Sequence, residues 1–282
     1  MSQTRSRWLG SPLSPPARRP LSLVPSLTEA VFRLGAGDRL VGRTQFCLRP
    51  TGRVEGIPAV GGTKDPDLER IAALAPDLVL ANREENTRAR VERIAERTPV
   101  LLTDPLSPAD VPGLWRELGL ALGCEARAEA LAAEVEDALA ITRPEPGAPA
   151  PRFVCWIWKD PWMAAGPETY LSELLCHAGL ENAVPTARAR YPRISPAEAL
   201  ALGADLHLFA SEPYDFRLPR DLADFARPAE PEADAWRLDR GPLALRADGE
   251  LLAWYPARTA EGLRYAVALR RLSRAGGPPA RP

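Results

Sequence analysis

The chain has 282 residues, 45% apolar and 26% charged, with 36 Lys and Arg against 37 Asp and Glu. That composition supports one large globular domain or two ordinary ones with a sizeable core, and a net charge of −1 excludes the basic excess by which general nucleic-acid binders release phosphate counterions. No window approaches the ~18 consecutive apolar residues of a membrane span.

Residues 1–19 carry neither an apolar signal core nor a small-residue cleavage site, and read as a Pro- and Arg-rich disordered lead. As written, the chain is expected to be cytoplasmic; a true start further upstream would make it periplasmic. The apolar run Leu21–Val24 then ends at Pro25, and Ser26-Leu27-Thr28-Glu29 has the form of a capping box at a helix start. That helix stops at Gly35-Ala36-Gly37, and Leu40-Val41-Gly42 opens a second strand. Asp65-Pro66-Asp67 predicts the next helix start, with Pro66 at its first position. Strand 78–81, helix 87–97, strand 100–102 and a helix from Ser107 to Gly123 follow. The Ala-, Leu- and Glu-rich stretch 125–143 reads as one long helix, and the proline-rich run 144–151 as a short stiff joint.

Beyond the joint the alternation restarts. Residues 153–158 form a strand, Thr169 caps a helix ending at Gly179, and Ser195-Pro196-Ala197-Glu198 is a second capping box. Residues 206–209 form a strand, 217–235 a loose loop and 259–271 a last helix. Strands alternating with helices predict an α/β fold with mainly parallel sheets. The division is a lead (1–19), a first lobe (20–123), a backbone helix and joint (124–150), a second lobe (151–275) and a tail (276–282). The halves echo one another: an offset of 128 places Asp77-Leu78 on Asp205-Leu206 and Glu84 on Glu212, and an offset of 144 places Leu27, Glu29, Val31 and Gly35 on Leu171, Glu173, Leu175 and Gly179. Two similar Rossmann-like lobes joined by one long helix imply a cleft lined by strand-end loops, where open α/β sheets bind ligands.

Turn-rich segments with aromatic or polar groups mark those loops: 44–47, 61–64, 82–86, 158–162, 211–214 and 254–258. Three of the seven Trp fall within 156–162, and strand alternation puts Trp156 and Trp158 on one side. Trp158 and Trp162 suit a wall of the cleft, while Trp156 reads equally well as core. The chain has 34 Arg but only two Lys, Lys64 and Lys159, both in these loops. An ammonium is a compact donor where guanidinium is a broad fork, so the two positions point to a small cationic head; chance is the competing reading. Glu84 and Glu212 are read first as ligand hydrogen-bonding or loop-capping groups, and as an acid–base pair only in an enzyme alternative. The four cysteines, Cys47, Cys124, Cys155 and Cys176, lack metal-site spacing and are read as free thiols, with a disulfide pair as the alternative; His177 and His207 are read as core or surface residues, so no protein-bound metal is expected. Walker, GxGxxG and GxSxG patterns are missing.

The segments SLVPSLTEAVFRLGAGDRLVG, VGGTKDPDLERIAALAPDLVLANREEN, WIWKDPWMAAGPETYLSELL, YPRISPAEALALGADLHLFASEPY and LLAWYPARTAEGL resemble the cobalamin- and siderophore-type substrate-binding proteins of ABC importers, the helical-backbone metal receptors. The resemblance spans residues 21 to about 272. It implies a monomeric, non-enzymatic binding protein for a corrinoid or ferric siderophore, whose metal arrives inside its chelator with no cofactor of the protein's own. It implies ligand contacts from Pro25, Phe46, Lys64, Arg83, Trp158, Trp162, Tyr214 and Trp254, to which the loop reading adds Glu84, Lys159 and Glu212. Lys64 stands where the cobalamin-binding members carry an aromatic, so Arg83, Lys64 and Lys159 suit an acidic, siderophore-like or carboxylate-bearing ligand. The resemblance also implies docking on a permease through one acid per lobe. Glu69 matches the first position; in the second lobe Ala197 holds the equivalent place and Glu198 is one residue off. An intracellular enzyme or sensor acting on such a ligand is the alternative.

Overall fold

In the computed structural model, residues 5–13, 16–218, 220–225, 235–238 and 241–274 are described. The chain folds into two compact units. The first comprises Met1–Pro105, Ala109–Asp137 and Trp254–Ala257, the second Leu106–Pro108, Ala138–Ala253 and Arg258–Pro282.

The first unit contains β1 (Arg7–Leu9), β2 (Pro20–Ser22), α1 (Pro25–Arg33), β3 (Gly42–Arg43), α2 (Leu68–Leu74), β4 (Leu78–Asn82), α3 (Arg88–Ala95), β5 (Val100–Thr103) and α4 (Val111–Leu122). Its sheet runs β1-β5-β4-β2-β3, parallel except for β1. Every residue of β4 is buried, as a parallel strand covered on both faces must be. Helix α5 (Glu125–Thr142) buries Ala128, Leu131, Ala132, Val135 and Ala138, one helical stripe, and leaves Ile141 exposed.

The second unit contains β6 (Arg152–Trp158), β7 (Met163–Ala164), α6 (Tyr170–His177), β8 (Glu181–Asn182), α7 (Pro196–Ala201), β9 (Leu206–Ala210), β10 (Ala235–Arg237), β11 (Leu243–Ala247), α8 (Gly249–Ala253) and α9 (Thr259–Arg274). Its sheet runs β10-β11-β9-β6-β7, with β8 also on β6. Strands β8, β6, β9 and β11 are parallel, and β7 and β10 antiparallel. A core of Val154, Trp156, Phe209, Phe216, Leu222 and Phe225 fills one face.

The echo between the halves is physical. Asp77 accepts the Arg18 and Arg19 amides at 2.7 and 2.9 Å just before β4, and Asp205 accepts the Arg152 amide at 2.7 Å just before β9. Each aspartate thus ties the entry of one central strand to its neighbour. Gly35 and Gly179 follow α1 and α6 with φ of +82° and +86°. In both, the next amide reaches back to the helix, Ala36 to Val31 at 3.0 Å and Leu180 to Leu175 at 3.2 Å. A residue with a Cβ would be strained there.

Several expectations need correction. The lead is not wholly irregular: Arg7–Leu9 pairs antiparallel with β5, and Trp8 donates to Glu117 at 3.0 Å. An open sheet edge can order a short segment that composition marks as disordered. The tail 276–282 lies outside the described residues. Ser26 caps nothing: α1 starts at Pro25 behind an extended Val24, and the Thr28 hydroxyl bonds back to the Val24 carbonyl at 3.0 Å. Pro25 takes the first helical position because its missing N–H costs nothing there. Pro66 does not start α2. Asp67 is the cap, accepting the Arg70 amide at 3.0 Å. The loop expected over 217–235 contains a 3-10 turn at Arg220–Asp224 and the start of β10. Residues 226–234 of it lie outside the described residues.

Candidate functional site

All parallel strands of a sheet end on one edge, so the loops after β2, β3 and β4 gather at one edge of the first unit, and those after β6 and β9 at one edge of the second. In the first unit, backbone and amide bonds knit the loops together. The Gln45 amide donates to Gly61 at 2.9 Å, the Asn86 side chain to Thr63 at 2.8 Å, and the Thr87 hydroxyl to Lys64 at 3.1 Å. Gly61 sits at φ +95°. Phe46 is 53% exposed and leans over Gly62, where an added methyl would lie 3.5 Å from its ring. Lys64 donates to the Glu84 carbonyl. Pro25 and Trp254 are half-buried.

Beneath this rim lies a polar network that loop reading did not find. Asn82, 1% exposed at the end of β4, donates to the Thr103 hydroxyl at 3.0 Å and to the Tyr255 hydroxyl at 3.1 Å. Tyr255 donates onward to Glu84 Oε2 at 3.4 Å. Arg83 pairs with Asp104 at 2.8 Å, and that hydrogen bond raises the guanidinium pKa. The only advance signal was Asn82 at the foot of an apolar strand, a buried polar group that needs partners.

In the second unit, Trp158 is 41% exposed, edge-on to Tyr214 at 5.7 Å, while Trp156 is fully buried. Trp158, the last residue of its strand, meets Tyr214, which packs against the core that holds Trp156, and the register against β7 shifts between the two tryptophans. Trp162 is half-buried, stacks on Phe216 at 5.6 Å and donates to Asp224 at 2.9 Å. Lys159 sits 3.0 Å from Asp224 and 3.5 Å from Asp221, 5.2 Å over the Trp162 ring. Burial opposes the Lys159 charge, but the two carboxylates outweigh it and raise its pKa. Asp221, 1% exposed, also takes Arg220 at 2.7 Å and the Arg217 amide at 2.7 Å. Glu212 is exposed in the loop after β9.

Residues 22–224 match the periplasmic binding protein family. The chain belongs to that family. A vitamin B12-binding protein of Pectobacterium carotovorum subsp. carotovorum (strain PC1) is 26% identical over 187 residues, 65% of this chain and 67% of the relative. Among solved structures, the apo form of the periplasmic heme-binding protein RhuT from Roseiflexus sp. RS-1 superposes with a TM-score of 0.74 at 25% identity, covering 91% of this chain and 99% of that one. The periplasmic vitamin B12 binding protein BtuF of Vibrio cholerae gives 0.73 at 16% identity, covering 92% and 98%.

Members of this family are substrate-binding proteins, not enzymes, so the acid–base alternative for Glu84 and Glu212 falls. The two expected docking acids differ in this binding protein. Glu69 is exposed at the second position of α2. Ala197 holds the second position of α7, as the repeat requires, and Glu198 the third, where its carboxylate accepts the Ser195 amide and hydroxyl at 2.9 Å each. The cysteines are all free. His207 is buried and accepts the Trp156 indole N–H at 3.2 Å; His177 contacts the Leu139 carbonyl at 2.9 Å. Among the described residues no cluster of His, Cys, Asp and Glu suits a metal ion, and no helix is long and apolar enough to cross a membrane.

Proposed function

We propose that this binding protein carries a large metal chelate, a corrinoid or a siderophore-like complex, for ABC-type uptake outside the cytoplasm. The observation that carries the reading is the family match over 22–224, falling on a fold whose exposed aromatics stand at the strand-end loops. Phe46 in the first unit and Trp158 with Tyr214 in the second offer apolar faces to a broad ligand. Pro25 and Trp254 add contact in the first unit, and Glu84, Glu212 and Lys64 the polar contacts. Trp162 and Lys159 serve from behind, where stacking and ion pairs hold their loop in shape, and Arg83, exposed and paired with Asp104, adds a polar contact. The metal travels within the chelator. Glu69 is the first docking acid on the permease, and Glu198 contributes from the other unit through its helix end.

Tryptophan quenching tests this. Cobalamin, cobinamide, ferrichrome and haemin are titrated into the purified chain. Saturable quenching by one of them, weakened by Trp158→Ala, is the expected result. Trp158 is the informative position because it is exposed, whereas Trp162 is half-buried and packs against the core. A folded chain that quenches with none of the four would refute the reading.

A further inference from the structure

Resting on the reading above, we infer that Asn86 is the positioning residue of the first unit's part of the site: its single carboxamide joins the three strand-end loops that present Pro25, Lys64 and Glu84, and sets the spacing of those contacts.

The need for it begins in the sequence. The buried strand β4 ends in Asn82, and only Arg83-Glu84-Glu85-Asn86-Thr87 separates it from α3. So short a crossing leaves backbone groups that neither the sheet nor the helix satisfies. The loop closes on itself instead. The Asn86 amide donates to the Asn82 carbonyl at 3.0 Å, and the Asn82 amide to Asn86 Oδ1 at 2.8 Å. Asn86 Nδ2 then reaches out of its own loop, donating to the Thr63 carbonyl at 2.8 Å and the Leu23 carbonyl at 3.3 Å. Thr63 adjoins Lys64 in the loop after β3, and Leu23 lies two residues before Pro25 in the turn after β2.

Asn86 is 6% exposed. Its carboxamide supplies two N–H donors and an acceptor, and all are used. A carboxylate of the same shape has no donor for the two carbonyls. The internal repeat separates this role from the needs of the fold. The offset of 128 that places Glu84 on Glu212 puts Ala210 and Tyr214 where Asn82 and Asn86 stand. Ala210 ends β9 as Asn82 ends β4, so the second unit makes the same passage from strand to loop without either carboxamide. The Thr87 hydroxyl on the Lys64 carbonyl at 3.1 Å, and Lys64 on the Glu84 carbonyl, tie the same two loops again. A substitution at Asn86 therefore changes their spacing without detaching them.

The test uses the full chain and whichever of cobalamin, cobinamide, ferrichrome and haemin quenches its tryptophans. Asn86→Ala removes all three side-chain bonds and is expected to weaken that chelate at least about tenfold. Asn86→Asp keeps the acceptor but sets a carboxylate oxygen against the Thr63 and Leu23 carbonyls, and is expected to bind more weakly still at pH 8. Burial and the two carbonyls disfavour that charge, so as pH falls the group takes up a proton and its O–H donates again. The Asp variant is therefore expected to overtake the Ala variant between pH 8 and pH 5. The ionisable side chains of the joined segments are Lys64 and Asp65 in one, Arg83, Glu84 and Glu85 in another, and Arg88 at the start of α3; the Leu23–Pro25 turn has none. Both variants carry these groups, so their titration divides out of the comparison. Circular dichroism and thermal melting check that each variant is folded at the titration temperature. If the Asp variant does not fold, the Ala variant, which buries no charge, carries the test through its affinity. Native affinity in the Ala variant, or an Asp variant that gains nothing on the Ala variant as pH falls, would overturn the inference and leave the binding function standing. A folded native chain that binds none of the four chelates would overturn the binding function, and this inference with it.

Discussion

His207 shows how one buried side chain sets a pH limit. It accepts the Trp156 indole proton and lies edge to face with Phe225 at 5.8 Å. Burial lowers its pKa from 6.5 to about 4. The unfolded chain therefore binds the proton first, and stability is lost as pH falls from about 6.5 towards 4. The shift corresponds to roughly 3 kcal/mol across that window. Urea unfolding between pH 7.5 and 4 should show this slope in the native chain and a shallower one in His207→Gln. Equal slopes would remove His207 as its source. The neighbouring tryptophans divide by burial. Trp162→Ala removes a ring stacked on Phe216 and is expected to cost about 2–4 kcal/mol, whereas Trp158→Ala should cost under about 1 kcal/mol. The sequence grouped these rings by spacing. Their separate roles depend on which one the Phe216 and Phe225 rings reach, and that is a tertiary fact.

Among the elements, helix ends were legible where a side chain had no better partner. The Ser195–Glu198 box forms as read, and Glu198→Ala should cost about 1 kcal/mol by thermal melting. That change disturbs the cap as well as any docking role, so a loss of permease binding counts only if α7 persists. The same reading failed at Ser26, because Thr28 bonds back to Val24 and Pro25 already supplies the helix start. At the other end of α2, Ala75 sits at φ 44°, the left-handed region. Ala75→Gly is therefore expected to stabilise the chain by about 0.5–1 kcal/mol, and a lower melting temperature would refute this. Strand β11 was missed although the repeat calls for it, since β5 flanks β4 as β11 flanks β9. Its short run Leu243–Ala247 contains Arg246, whose guanidinium turns to Asp215 at 2.9 Å and lets the strand pair. Nothing in local patterning announces that partner.

At the scale of the whole molecule, none of the four cysteines is in a disulfide. Burial pushes the Cys155 thiol up to about 12 and raises Cys47 and Cys176 as well. Alkylation at pH 8 should therefore mark Cys124 ahead of Cys176 in the folded chain, leave the buried Cys47 and Cys155 unmarked, and mark all four in denaturant, with the melting temperature unchanged by reductant. A reductant-sensitive melting point would contradict the free-thiol assignment. A bound chelate at 100 times its Kd should add about 2.7 kcal/mol to the folded state. That gain would show that the chelate binds the folded chain and not the unfolded one.

Hydrophobic period, helix stops and the two-fold echo of Asp77 with Asp205 and Gly35 with Gly179 were determined by the sequence alone, because each is a local or repeated constraint. So was the family, through the strand-end motifs. The fate of the charges was not. Lys159 and Arg83 find carboxylates in Asp221, Asp224 and Asp104, and Lys64 the Glu84 carbonyl, only once the chain is folded. Tyr255 reaches Asn82 and Glu84 across more than 170 residues of chain. Ion pairs and hydrogen bonds depend on distances of a few ångströms between segments far apart in sequence. Only the tertiary structure sets those distances.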